Sequence, residues 1–182
     1  LTNNRQGVYV TGINNIFEGN IFSNNTSNGA LLYPDGLKTG DGNTFDGNTV
    51  SANGKNGISI TSSNNTVTNN IITGNSTNST QGAGVALFTT GGYTATGNVI
   101  QFNTITGNGG YGGIGSTSTG TNDISKNWWG SATGPRHTTN PGGTGDKLWT
   151  NKPIALLTYS PWLGFVPGTT PMDWYLNTTG TI

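Results

Sequence analysis

The chain has 182 residues with 7 basic and 7 acidic side chains, one histidine and no cysteine. A net charge of zero without a basic cluster argues against nucleic acid as a partner, and no apolar run approaches the roughly 20 residues of a membrane span. Glycine (31 residues), asparagine and threonine form the bulk, and the lack of cysteine suits a secreted chain that needs no disulfide staples.

Residues 1–6 are polar and lead into a frame that opens at Gly7. Val8 and Val10 alternate, then Asn15, Asn20 and Asn25 follow five apart, with Phe17 and Phe22 two places after the first two. The second copy is Gly29-Ala30-Leu31-Leu32, a turn-rich insertion from Tyr33 to Gly42, and Asn43-Phe45-Asn48-Val50-Asn53. The third is the barest, with Gly57, Ile58, Ile60, Asn65, Val67, Asn70, Ile72 and Asn75 at the same offsets as the first. The fourth has Gly84-Val85-Ala86-Leu87 and Asn98-Ile100-Asn103-Ile105-Asn108, with extra residues at Ser76 to Gln81 and Thr89 to Thr96. The fifth runs Gly113-Ile114, Asn122-Ile124-Asn127-Trp129. Taking Asn15, Asn43, Asn65, Asn98 and Asn122 as register marks, the spacings are 28, 22, 33 and 24, so 22 is the bare coil and the longer ones carry loops.

Five-residue units with one or two inward apolar residues are too short for helices and fit short strands. The Val, Ile and Thr between the asparagines favour strands, and Asn at each boundary tolerates left-handed backbone and can bond its neighbours. No single coil can bury its apolar face, so the coils must stack, with strands about 4.7–4.9 Å apart and like residues in ladders. Phe17, Phe45, Val67, Ile100 and Ile124 should form one interior file. Over residues 7 to 130 this pattern resembles the right-handed parallel β-helix repeat family, the architecture of pectate lyases and many secreted surface proteins. The resemblance implies an all-β fold, a single-stranded right-handed parallel β-helix of about five coils, and it alone supplies the handedness.

After Asn127 the texture changes. Asn-Trp-Trp-Gly, Ala-Thr-Gly-Pro, Asn-Pro-Gly-Gly-x-Gly-Asp and Ser-Pro-Trp-Leu, in that order, resemble the irregular C-terminal cap of secreted β-helix proteins. Trp129 falls at an inward position, where a large ring can end the core, and Trp149, Leu156, Leu157 and Trp162 can cover the last coil. The expected division is coils over 1–130, cap over 131–166, and over 167–182 a linker and a strand. That strand resembles the opening of a following β-helix domain, or could pair with a neighbouring subunit. No signal peptide is visible, so the sequence is expected to begin at or after a processing point, or inside a longer chain.

Candidate chemistry is sparse. The residues three after each register asparagine, Glu18, Asp46, Thr68, Gln101 and Ser125, should form an outward polar column. Glu18 and Asp46 fall on adjacent coils, about 5 Å apart, which is also the carboxylate separation of a retaining glycosidase. The plainer reading is two exposed acids in a polar column; with Asp41 they could also bind calcium. No Arg or Lys shares the column, as the lyases of this fold usually require; Lys55 lies in the following turn. Arg136-His137, without an evident carboxylate partner, reads as a surface pair. Gly142 to Lys147 lacks the P-loop Gly-Lys-Ser/Thr. Tyr9 and Tyr33 fall outward and could stack on sugars. Asn-x-Ser/Thr acceptors stand at Asn24, Asn25, Asn64, Asn75, Asn78 and Asn177, in a composition where many arise by chance. No metal or cofactor is expected apart from calcium.

The leading expectation is a non-catalytic rigid rod, an extracellular module of a cell-surface or filament-forming protein, self-associating or joined to tandem neighbours. Alternatives are a polysaccharide lyase or glycoside hydrolase using Glu18 and Asp46, and a carbohydrate-binding adhesin module.

Overall fold

The computed structural model describes residues 1–167 and the backbone of a strand at Leu176–Asn177; the rest of the tail, with the expectation placed on it, lies outside the described residues. The chain winds into a parallel β-helix with three faces. The first face stacks Val8–Val10, Ala30–Leu32, Ile58–Ile60, Ala83–Leu87 and Gly112–Ser116, and the second Ile16–Glu18, Thr44–Asp46, Thr66–Thr68, Val99–Gln101 and Asn122–Asp123. The third stacks Ile21–Ser23, Thr49–Ser51, Ile71–Thr73 and Thr104–Thr106, and Trp128 bridges Thr104 in parallel as its fifth layer. Below the first coil, Thr2 bridges Ser23 on the same face.

The strands are two to five residues long because each supplies only a few inward side chains to a narrow interior. Phe17 pairs with Phe45 and Phe45 with Val67, while Ile100 pairs with Val67. Phe45, Val67, Ile100 and Ile124 are fully buried, and Phe17, half-buried, stacks on Phe45 with ring centroids 4.5 Å apart. The third-face file of Phe22, Val50, Ile72 and Ile105 ends on Trp129, all without exposure. The interior file is therefore as the sequence spacing demands.

Three ladders of asparagine side chains run along the corners. In the column Asn20, Asn48, Asn70, Asn103 and Asn127, the backbone N–H and Nδ2 of each residue donate to Oδ1 of the next, at 2.8–3.2 Å. The second Nδ2 proton reaches back one coil, as from Asn70 to the Phe45 carbonyl (2.9 Å) and from Asn103 to the Val67 carbonyl (2.8 Å). Each buried amide thus has its donors and acceptor met along the axis. Left-handed backbone does not sit on these asparagines, contrary to expectation. It sits on the residue before them: Asn14, Gly42, Asn64 and Gly97 in one column, Gly19, Gly47, Asn69, Phe102 and Lys126 in another, Asn24, Ala52, Gly74 and Gly107 in the third. The corner turns there, and the ladder residue then points inward.

The glycines that open each repeat have a separate cause. A Cβ on Gly57 would lie 2.5 Å from the Gly84 carbonyl and 2.9 Å from Asn75 Nδ2. The backbone of adjacent coils and the ladder meet there, and nothing larger fits.

The C-terminal segment is largely turns and isolated bridges, with short strands set into it. Leu148–Thr150 and Leu157–Thr158 add a sixth layer to the first and second faces. Leu148, Leu157, Trp162 and Leu163 are buried over the last coil. Trp149, expected to cover it, instead points outward and stacks on Tyr111, because strand alternation gives the inward place to Leu148. Leu156 ends a short 3₁₀ turn and is half-buried. Leu176–Asn177 pairs antiparallel with Trp162–Leu163.

Replacing Asn70 by Ala removes the acceptor of two buried Asn48 donors. At about 1–3 kcal/mol for each orphaned group, the variant should lose about 3 kcal/mol in chemical denaturation. Ile72→Asn, which puts an unpaired amide into the core, should cost several kcal/mol. An unchanged denaturation midpoint in either variant would contradict this register.

Candidate functional site

The second-face polar column is in register. Glu18 pairs with Asp46, Asp46 with Thr68, and Gln101 with Thr68. Strand geometry puts the two acids one coil apart, about 4.8 Å at the backbone. Glu18 is exposed and Asp46 half-buried. Asp46 is not idle: its Oδ1 accepts from Thr68 Oγ1 (2.8 Å) and Asn69 Nδ2 (2.7 Å). Further along, Gln101 Nε2 donates to Asp123 Oδ2 (2.8 Å) and Ser125 Oγ (3.1 Å). The column is thus largely bonded to itself. Lys126 stands at the adjoining corner with its ammonium 5.7 Å from the Phe102 ring centroid, and Lys55 lies in the turn between the third and first faces, bonded by its backbone to Ser27. An acid pair of this kind can bind a hydroxylated or cationic ligand; acid–base chemistry would have to fall to Glu18 and the single uncommitted side of Asp46.

Asp41 turns to a different neighbour. Its Oδ1 accepts from the Ser63 backbone N–H (2.7 Å), ahead of the strand that Asp46 ends. Among the described residues, no group of three or more His, Cys, Asp or Glu is placed to hold a metal ion.

Tyr9 is exposed and Tyr33 half-buried. Burial, and after it the nearby Asp35 and Tyr33, push the Tyr9 hydroxyl above its ordinary pKa. The insertion of coil two meets that of coil four, an antiparallel hairpin of Thr89–Thr90 and Tyr93–Thr94, across the bare third coil. There the Tyr93 hydroxyl donates to the Gly36 carbonyl (3.4 Å). Tyrosines from three coils therefore gather along one edge, and Tyr93 was not evident from the sequence because the insertions have no fixed register.

The glycosylation acceptors separate by burial. Asn24, Asn64 and Asn78 are exposed. Asn25 and Asn75 are ladder residues, each 1% exposed, with their amides bonded to Asn53 and Asn108; neither can carry a glycan in the folded chain. The Asn177 side chain lies outside the described residues.

One chemically distinct residue escaped the sequence reading. The third ladder passes from Asn25 through Asn53 and Asn75 to Asn108 and ends on Asp146. Its carboxylate accepts from Asn108 Nδ2 (2.9 Å), the Asn108 N–H (3.0 Å) and the Gly107 N–H (3.0 Å). The available signal was Gly145-Asp146, which mirrors Gly74-Asn75 and Gly107-Asn108. Burial pushes the Asp146 carboxyl above its ordinary pKa, against a downward pull from these bonds and from Arg136.

Compared with known families, residues 1–129 match the family described as the right-handed β-helix region. Comparison with curated proteins and with solved structures gave no match.

Because the folded-state pKa of Asp146 is raised, its contribution to stability is fully present below the unfolded-state value, about 3.9, and is lost as pH rises through the folded value. Asp146→Asn keeps an acceptor and removes the charge. Thermal melts from about pH 4 to neutrality should therefore show the variant gaining stability relative to the parent as pH rises. The opposite trend would mean that the hydrogen bonds outweigh burial.

Proposed function

This chain belongs to the right-handed β-helix family, and on that premise we propose that it is a non-catalytic structural module of an extracellular cell-surface or filament-forming protein. Its task is mechanical: a rigid, neutral rod joined through its ends or its C-terminal tail to tandem neighbours or further copies. The observation that supports this reading best is the unbroken asparagine ladder, which binds each coil to the next through buried, fully partnered amides. Such amides resist local opening, since each exposed rung would have to break bonds to both neighbouring coils. A chain with only 7 Lys and Arg also offers few basic cleavage sites.

The family fold hosts enzymes as well as scaffolds, and fold alone does not choose between them. The engagement of Asp46 with Thr68 and Asn69 favours a packed polar column over a free acid pair. Native material viewed by electron microscopy should show fibres with an axial repeat. Glu18→Ala combined with Asp46→Ala should leave release of unsaturated or reducing ends from acidic polysaccharides unchanged. Dispersed particles at high concentration would weaken the rod, and activity abolished in the double variant would establish the lyase or hydrolase reading instead.

A further inference from the structure

The lower, N-terminal end of the stack is open on two faces and begun on the third. Val8–Val10 and Ile16–Glu18 are the lowest strands of the first and second faces, so each presents an unpaired backbone edge. Their inward side chains Val8 and Phe17 are half-buried, whereas Ile58, Phe45 and Val67 in the same files have no exposure. Phe17 stacks on Phe45 with one ring face and leaves the other at the open end. On the third face the chain itself has laid a further layer. The Leu1 ammonium donates to the Ile21 carbonyl (2.7 Å) and the Asn4 N–H to Asn25 Oδ1 (3.1 Å), while Thr2 bridges Ser23. Asn4 thus stands under Asn25 as one more rung of the third ladder.

The other two corners have no such rung. Asn15 and Asn20, both exposed, donate upward to Asn43 and Asn48, but among the described residues no N–H reaches Oδ1 of either. In the coils above, the same oxygen accepts the backbone N–H of the asparagine below it, and in most of them its Nδ2 as well.

We infer that this lower end is a docking surface for one more parallel coil with asparagine at both corners, supplied by the neighbouring module of a tandem array. Resting on the tandem-module reading above, this assignment adds the chemistry of the partner. Each open corner is an acceptor in need of donors, which an asparagine supplies from its N–H and Nδ2 while offering its own oxygen to the next layer. A plain extended strand added to either edge would pair the backbone and leave the corners unmet. A second copy of this chain does not fit. At its upper end Asn122 Nδ2 turns back to the Ala95 and Gly120 carbonyls (2.9 and 3.1 Å) and Asn127 Nδ2 to the Ile100 and Ile124 carbonyls (2.7 and 2.9 Å), and Leu157 and Trp162 lie buried over the last coil. Two lower ends would set acceptor against acceptor.

The test fuses a copy of residues 57–71, from the bare coil, directly ahead of Leu1 in the full chain, which sets copies of Asn65 and Asn70 beneath Asn15 and Asn20. The urea midpoint of the fused chain should lie above that of the parent, in a single transition. Alanine at both added corners should remove most of that rise, and Asn20→Ala should lower the midpoint more in the fused chain than in the parent. The parent alone should sediment as a monomer. No rise, an equal rise with alanine at both corners, or a parent that self-associates until Asn20→Ala prevents it would overturn the proposal. Fibres in the native material alongside an unstabilised fused chain would sink this docking surface and leave the rod standing, whereas a stabilised fused chain without fibres would support the surface and count against the rod.

Discussion

A buried amide has to find partners for two donors and an acceptor, and along the ladders of this molecule most of these lie in the coils above and below. That requirement organises the chain. The interior is too narrow for a large apolar core, with files one side chain wide, so the corners carry a share of the cohesion that a larger domain would assign to packing. Asparagine suits the corner because it both gives and accepts, letting the pattern propagate. Threonine or serine in its place would lack one donor, and aspartate would lack both.

The polar column of the second face follows from the same geometry. Stacking in register aligns outward residues as strictly as inward ones, so two acids on neighbouring coils become neighbours in space whether or not chemistry requires them. Their surroundings distinguish the cases. Asp46 is met by a hydroxyl and an amide from the next coil, and Gln101, Asp123 and Ser125 are bonded among themselves. A polar surface that settles its own hydrogen bonds stabilises a stack and leaves less for a substrate.

Much of this was legible in the residues. The five-residue offsets of Asn65, Asn70 and Asn75, with Val67 and Ile72 between them, fix strand length, inward direction and stacking together, and the interior file follows. The left-handed corners were visible as Gly-Asn and Asn-Asn pairs but were assigned to the wrong member, since either residue tolerates that conformation and only the inward pull of the ladder decides. Trp149 was misplaced for a related reason: in an aperiodic segment size suggests the core, while the strand's alternation, which gave it to Leu148, can be counted only once the strand is located. The meeting of Tyr33, Tyr93 and Gly36 depends on insertions whose path no repeat specifies. Asp146 was hidden because a single carboxylate in a glycine-rich stretch looks like an ordinary turn residue.

The exchange of amide for carboxylate at Asp146 makes the third column directional and finite. Every asparagine in it can be succeeded by another, because each hands an N–H forward. Asp146 receives three hydrogen bonds and its side chain has none to pass on. A further amide layer laid on that corner would face an oxygen where it requires a proton, so one atom type discourages runaway growth of identical layers, a hazard shared by all exposed strand edges.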